Sequence, residues 1–279
     1  MTNHDAPRSG IVVPGFEKIE TAGPERPWLV MVHGASQHGG VFSAQVGAFR
    51  DRYRLLLVDL PGHGRSAHIG GPYGPLEYAD SVLAALDHAG VDAMHFWGTH
   101  TGAGVGLLLA ASGRRDRFRS LILEGAVLPG MDLPSVTEAF GRAKATAKAR
   151  GVDAARREWF DVSGWFDVMR SDPQRCRANE HWQMVSEFAA QPWLDGAAPR
   201  AAEPIEDRLR AVGAPVLLVN GEHELADFNA VAERLASVLP NARRHVVPDA
   251  GGFPLWEYPE RVNACVREFL EAQVRGATP

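Results

Sequence analysis

The segment MHFWGTHTG, residues 94–102, decides the fold. Its first four residues, Met94–Trp97, are a nearly continuous apolar run, which is typical of a strand buried on both faces. His100 follows between Gly98 and Gly102, and a stretch rich in Gly, Ala and Leu comes next. The pattern predicts a strand, a tight turn that holds His100, and a helix.

Similar apolar runs recur on both sides of this segment. The further predicted strands are Trp28–His33, Arg54–Asp59, Ser120–Leu123, Pro215–Asn220 and a short last strand, Arg244–Val247. Amphipathic stretches separate several of them, including a helix over Leu76–Gly90, and a helix from about Pro259 to Val274 closes the chain. This alternation predicts an α/β fold with a doubly wound, mostly parallel sheet.

One region interrupts the alternation. Residues 130–209 contain charged helical stretches and four tryptophans, but no convincing strand. We interpret them as a helical cap inserted in the core, with residues 1–129 as the first part of the core and 210–279 as the second. In open α/β sheets, ligands bind outside the carboxyl ends of the strands, which is the position that an inserted cap would cover.

Composition narrows the classes of function. The net charge of −5 gives no reason to expect nucleic acid or an anionic membrane as a partner. Two cysteines and an N-terminus without an apolar signal segment predict a soluble, cytoplasmic protein. Because the histidines are scattered, we expect no metal and no other cofactor. The expected partner is a small-molecule substrate, and a homodimer stays open.

Five short motifs in order carry a resemblance to a known family. They are His33-Gly34-Ala35, the run DLPGHGRS at 59–66, the segment GTHTG at 98–102, the run NGEHE at 220–224 and the run PDAGGFP at 248–254. In this order and spacing, the chain resembles the α/β-hydrolase superfamily over nearly its whole length. It is most similar to the enol-lactonase and haloperoxidase-like branch.

The resemblance implies a strained strand-turn-helix elbow that displays a nucleophile between small residues. His100 stands there instead of serine. Gly252 stands where the family has its catalytic histidine. The backbone N–H groups of Ala35 and Thr101 match the family's oxyanion hole. An acyl-enzyme route through serine is therefore not expected.

Two acids match places that the family uses. Glu224 follows the strand that ends at Asn220, which is the usual position. Glu124 follows the strand Ser120–Leu123, which is the position in a minority that includes lactonases similar to the zearalenone-degrading type. A histidine base needs a second group to fix its tautomer, and we expect Glu124 to hydrogen-bond His100 directly or through one water.

Further residues are expected to contact the substrate. His38 lies in the loop after Ala35, and Trp159 and Trp165 lie in the cap that would form the lid of the pocket. His33 and His63 are expected to brace their loops instead.

These residues lead to two hypotheses. The first is an enzyme that uses His100 as a general base on a small carbonyl compound, as a lyase, cyclase or decarboxylase, or by activating water on an ester or lactone. The helix dipole disfavours the imidazolium and Glu124 favours it, and the sequence leaves that balance open. The second is a non-catalytic small-molecule-binding protein. A cofactor-independent dioxygenase ranks below both, because such relatives use the histidine that Gly252 replaces.

Overall fold

The computed structural model describes residues 11–276 and has one seven-stranded sheet at its centre. The strands are β1 (Phe16–Ile19), β2 (Trp28–Val32), β3 (Arg54–Val58), β4 (Met94–Thr99), β5 (Phe118–Glu124), β6 (Val216–Gly221) and β7 (Ala242–Val247). Their order in the sheet is β1-β3-β2-β4-β5-β6-β7. All neighbouring pairs are parallel except β1 and β3. The predicted α/β class and mostly parallel sheet are confirmed.

Strand β1 is the strand that the sequence pattern did not predict. Its four residues, FEKI, include two exposed charged residues and no continuous apolar run. It pairs antiparallel along the edge of the sheet, with Phe16 opposite Val58. An antiparallel edge strand can face water and needs no apolar run, so its pattern resembles that of a loop.

Twelve α-helices surround the sheet within the described residues. They are α1 (Ser43–Phe49), α2 (Pro75–Ala89), α3 (Thr101–Ala110), α4 (Pro134–Arg150), α5 (Val152–Val162), α6 (Asp167–Ser171), α7 (Ala178–Glu187), α8 (Gln191–Leu194), α9 (Glu206–Leu209), α10 (Ala226–Val238), α11 (Pro254–Glu257) and α12 (Pro259–Gly276). None of them is long and apolar enough to cross a membrane.

Helices α4 to α9 lie between β5 and β6, and the described chain forms no strand there. The region predicted as a cap is thus helical. Its treatment as a separate unit with boundaries at 130 and 209 stays a prediction.

Alternating residues of the central strands fill two cores, one on each face of the sheet. Leu29 and Met31 of β2 pack with the cap and α12 on one face. Val30 and Val32 pack with α2, α3 and α10 on the other. Burial on both faces explains why these strands have continuous apolar runs.

The turn between β4 and α3 is a very close approach of backbone segments. His100 has φ 48° and ψ −109°, a strained conformation for a residue with a side chain. A Cβ on Gly98 would lie 2.5 Å from the carbonyl oxygen of Gly102, and a Cβ on Gly102 would lie 2.1 Å from that of Val32. Only glycine therefore allows α3 to start against the ends of β2 and β4.

We predict that Gly102→Ala lowers the free energy of unfolding by roughly 1–3 kcal/mol or more, since backbone atoms at 2.1 Å cannot move aside like a flexible side chain. Gly141→Ala is the matched control. It is an exposed site in α4 with no atom within 4 Å of the added Cβ, and it should gain about 0.5–1 kcal/mol. Chemical denaturation measures both. Equal effects would contradict the close-packing argument.

Candidate active site

The imidazole of His100 is buried at the carboxyl ends of β4 and β5. Its backbone N–H donates to the carbonyl oxygen of Glu124 at 2.8 Å, which fixes the elbow to the end of β5. Phe228 and Phe253 contact the ring, each with 5.0 Å between ring centroids. Two aromatic neighbours and the ends of the strands leave the residue 8% exposed.

Thr99 connects His100 to Glu124. The Thr99 hydroxyl lies 2.9 Å from Nδ1 of His100 and donates to Oε1 of Glu124 at 3.4 Å. Oε2 of the same carboxyl accepts from the N–H of Leu255 at 3.0 Å. Glu124 and His100 therefore meet through a protein hydroxyl, a connection that the sequence analysis did not anticipate.

Burial decides the charges of this pair. It lowers the pKa of His100 to about 4, because no charged neighbour compensates for the lost solvation of the imidazolium. It also raises the pKa of the Glu124 carboxyl well above its ordinary value, and the nearby Glu224 and Glu257 add to that rise. Both effects favour neutral side chains, so burial outweighs the attraction between an imidazolium and a carboxylate.

Nε2 of His100 is the free end of this chain of groups. It is buried, and no residue in 11–276 forms a hydrogen bond with it. When the Thr99 hydroxyl donates to an ionised Glu124, Thr99 Oγ1 accepts from Nδ1, so Nε2 carries the lone pair. In that ionisation state, the arrangement has an unpartnered basic nitrogen at one end and a buried carboxylate at the other.

Glu224 is also buried near the carboxyl ends of the strands, but it forms no hydrogen bond with His100. Its Oε1 accepts from the N–H of Leu225 at 2.9 Å, and its Oε2 has no partner within the described chain. Burial raises the pKa of Glu224 to about 8. The structure therefore brings Glu124, not Glu224, into hydrogen-bonded connection with the elbow residue.

A third acid, Glu257, was missed by the sequence analysis. It lies in α11 and accepts from the N–H of Gly251 at 2.5 Å, and burial raises its pKa to about 7. The only signal in the sequence was a carboxylate within the apolar run PLWE, directly before Tyr258 and Pro259.

The cap fills the space next to Gly252. A Cβ at this position would lie 2.6 Å from Cβ of Trp165 and 2.8 Å from its carbonyl oxygen, so no larger residue fits without movement. Gly125 leaves room for the imidazole of His100 because it has no side chain. It has φ 52°, and an added Cβ would lie 2.8 Å from Nε2 of the imidazole.

The loop that carries Ala35 packs against the elbow. A Cβ on Gly34 would lie 3.2 Å from Cβ of His100. Ala35 and Thr101 both line the cavity next to His100, and neither N–H donates to an acceptor among residues 11–276. Two free N–H groups beside the elbow can stabilise an oxyanion or bind a carbonyl oxygen.

Core and cap both hold this loop. The Gly34 N–H donates to the side-chain oxygen of Gln37 at 3.0 Å. From the cap, the indole N–H of Trp159 donates to the Ser36 hydroxyl at 2.9 Å. His33 braces the loop on the core side, since its Nε2 accepts from the Leu60 N–H at 2.9 Å.

A cavity of about 350 Å³ lies between the elbow and the cap. Ala35, His100, Thr101, Trp159 and Trp165 all line it. Many of its other lining residues are aromatic, among them Tyr73, Tyr78, Phe140, Phe188, Trp193 and Phe228. Such a lining suits an apolar or aromatic ligand with a few polar groups.

The expected contact of His38 with this cavity needs correction. Its Nδ1 accepts from the N–H of Gly40 at 3.0 Å, where it caps a short 3-10 segment. The residue borders a separate cleft with Asp59 and Arg65 instead. Sequence proximity to Ala35 gave no information on the direction in which the loop turns.

The sheet, the elbow and the covering helices define a class of protein. A model of the alpha/beta hydrolase fold matches residues 27–259, and the chain belongs to this family.

Individual relatives extend the comparison. The chain is 29% identical to 2-succinyl-6-hydroxy-2,4-cyclohexadiene-1-carboxylate synthase from Enterobacter sp. (strain 638), over 92% of this chain and 97% of the relative. It is 27% identical to a non-heme haloperoxidase from Rhodococcus erythropolis, over 79% and 83%. In structure it is similar to the enol-lactonase from Burkholderia xenovorans LB400, with a TM-score of 0.77, 22% identity, and 92% and 96% coverage. The expected α/β-hydrolase superfamily is confirmed, a haloperoxidase and an enol-lactonase are among the similar proteins, and these relatives are enzymes.

We predict that Glu224→Gln stabilises the protein in alkaline solution. The folded state raises the pKa of this carboxyl from 4.5 to about 8, so its favourable contribution is complete below pH 4.5 and is lost as the pH rises through 8. Glutamine cannot ionise, so the melting temperature of the variant relative to the wild type should rise between pH 4.5 and 9. Glu203→Gln, at an exposed site, is the control and should show no such trend. A difference independent of pH would contradict the burial argument.

Proposed function

We propose that this protein is an enzyme that acts on a small, mostly apolar carbonyl compound without a serine nucleophile. His100 is its general base, and the N–H groups of Ala35 and Thr101 form its oxyanion hole. One observation carries the proposal: the chain of groups from Glu124 through Thr99 to His100 ends at an unpartnered Nε2 beside two free backbone N–H groups.

The proton path follows from these contacts. Nε2 takes a proton from the substrate, Nδ1 passes its own proton to the Thr99 hydroxyl, and that hydroxyl passes its proton to Glu124. The result is a neutral imidazole and a neutral carboxylic acid. Burial favours this outcome, since it lowers the pKa of His100 and raises that of Glu124.

The oxyanion hole supplies the other half of the chemistry. Removal of a proton next to a carbonyl, or attack of a water activated by Nε2, places negative charge on the carbonyl oxygen. Two N–H groups directed at that oxygen stabilise the charge in both cases. The proposal therefore covers elimination, cyclisation and ester or lactone hydrolysis. It also covers decarboxylation of a β-keto acid, because breaking the C–C bond releases CO₂ and leaves the same enolate oxygen in the hole. The synthase and the enol-lactonase among the similar proteins support a carbonyl or enol substrate.

The first test concerns His100. We expect the wild type to exchange the α-hydrogens, or cleave the ester or lactone bond, of at least one member of a panel of small aromatic ketones, β-keto acids, enol lactones and aryl esters. NMR spectroscopy in D₂O detects both reactions. His100→Ala and His100→Gln should lower the rate by roughly 10²–10⁴-fold, because general-base catalysis contributes about that much.

His68→Gln is the matched control, since His68 is exposed and outside the cavity. It should retain the wild-type rate. Full activity of His100→Ala would overturn the proposal. Tight binding of the panel without turnover would instead identify a binding protein.

The second test concerns the path from Nδ1 to Glu124. Thr99→Val removes the connecting hydroxyl with little change in volume, and Glu124→Gln removes the final acceptor. We expect each to lower the rate by roughly 10² or more, because the proton cannot leave the imidazole. Thr99→Ser keeps a hydroxyl and should restore much of the activity. Glu224→Gln should matter less than Glu124→Gln.

The pH profile separates this path from a structural role of Thr99. The base needs an ionised Glu124, so the wild-type rate should rise with pH through the raised pKa of that carboxyl. No step is expected near pH 6.5, since His100 stays neutral down to about pH 4. Glu124→Gln should remove the rising limb. A limb that persists in Glu124→Gln would show that another group governs it.

A further inference from the structure

His63 is a second cavity histidine with an unused nitrogen. Its Nδ1 lies 3.0 Å from the carbonyl oxygen of Pro61, and its ring stacks on Phe188 with 4.6 Å between centroids. The residue is 2% exposed and lines the same cavity as His100. Its Nε2 is buried and has no hydrogen-bond partner within the described part of the chain.

The Pro61 contact fixes what this nitrogen can do. A carbonyl oxygen only accepts, so Nδ1 must carry the hydrogen and Nε2 must carry the lone pair. Burial lowers the pKa of His63 to about 3, so the ring remains neutral at ordinary pH. Nε2 is therefore a permanent acceptor. An acceptor buried without a donor costs about 1–3 kcal/mol, which a bracing role through Nδ1 alone does not explain.

Tyr78 adds a hydroxyl to the same part of the cavity. Its ring meets that of His63 edge to face, with 6.2 Å between centroids. It lines the cavity, and its hydroxyl forms no hydrogen bond with residues 11–276. Burial raises its pKa, so it remains a protonated donor. Tyr73 differs, because its hydroxyl already donates to the carbonyl oxygen of Ile69 at 2.8 Å.

We propose that His63 and Tyr78 form a subsite for a hydroxyl group of the ligand. The ligand hydroxyl donates to Nε2 of His63 and accepts from the hydroxyl of Tyr78. A hydroxyl does both through a single oxygen, whereas a carbonyl, an ether or a carboxylate cannot donate to the lone pair of Nε2. The ligand class is thus a hydroxylated, mostly apolar or aromatic compound. Its carbonyl would lie at His100, and in that respect the inference rests on the proposed function.

Binding measurements test the subsite without any turnover. The probes are 3- and 4-hydroxyacetophenone, each compared with the methylacetophenone of the same substitution, because a methyl group has a similar volume but cannot donate. Quenching of the fluorescence of Trp159, Trp165 and Trp193, which line the cavity, reports binding. We expect the wild type to bind one hydroxyl isomer roughly 3–10-fold more tightly than its methyl counterpart, the range of one net hydrogen bond.

Variants assign the preference to the two groups. His63→Asn retains a donor near the position of Nδ1 but has nothing in place of Nε2, and Tyr78→Phe removes only a hydroxyl. Each should reduce the ratio of the two dissociation constants towards 1. Tyr73→Phe is the matched control and should keep the wild-type ratio, since its hydroxyl is already engaged.

Each outcome either supports or overturns the His63–Tyr78 subsite. A ratio of 1 in the wild type for both isomers, or a ratio that His63→Asn and Tyr78→Phe leave unchanged, would overturn the subsite and indicate that Nε2 is hydrated. His100→Ala keeps this subsite intact and should preserve the hydroxyl preference. A preference retained in a protein that shows no turnover would refute the proposed catalysis while supporting the subsite.

Discussion

The close approach of helix α3 to the ends of β2 and β4 is the constraint on which the site depends. Gly98 and Gly102 permit this approach, and the backbone at His100 must then adopt positive φ. The strained turn places the His100 side chain above the sheet and leaves the Thr101 N–H at the start of the helix without a partner. The hydrogen bond from the His100 N–H to Glu124 brings the end of β5 to the same point.

Burial determines which protonation states the site residues favour. The end of the sheet holds one imidazole and three carboxyl groups in an environment that disfavours every ion. In water a histidine and a glutamate readily form an ion pair, but here the neutral forms are favoured. In the proposed path, a proton that reaches an ionised Glu124 through His100 leaves both side chains neutral, and the Thr99 hydroxyl lies between them.

The sequence predicted what depends on continuous patterns and ordered motifs. Strands β2 to β6 have apolar runs because both of their faces are buried. The segment GTHTG identifies its turn because only small residues fit beside it. Strand β1 was not predicted because an edge strand needs no such run. Thr99, Gly125 and Glu257 were not predicted as site residues because their contacts form across the ends of strands that are distant in sequence. His38 was misplaced because the direction of a loop depends on caps and turns that a motif does not encode.

The contact between Gly252 and Trp165 restricts how this site can change through single mutations. A serine at position 100 would lack its histidine, and a histidine at position 252 would collide with a cap tryptophan that now packs in that space. Each single step towards a serine triad therefore meets either an inactive or a strained intermediate. The order of substitutions therefore matters, because Trp165 must move away from position 252 before a histidine fits there. Because each substitution depends on the other, single mutations do not readily convert this site to a serine triad, although the fold is the same.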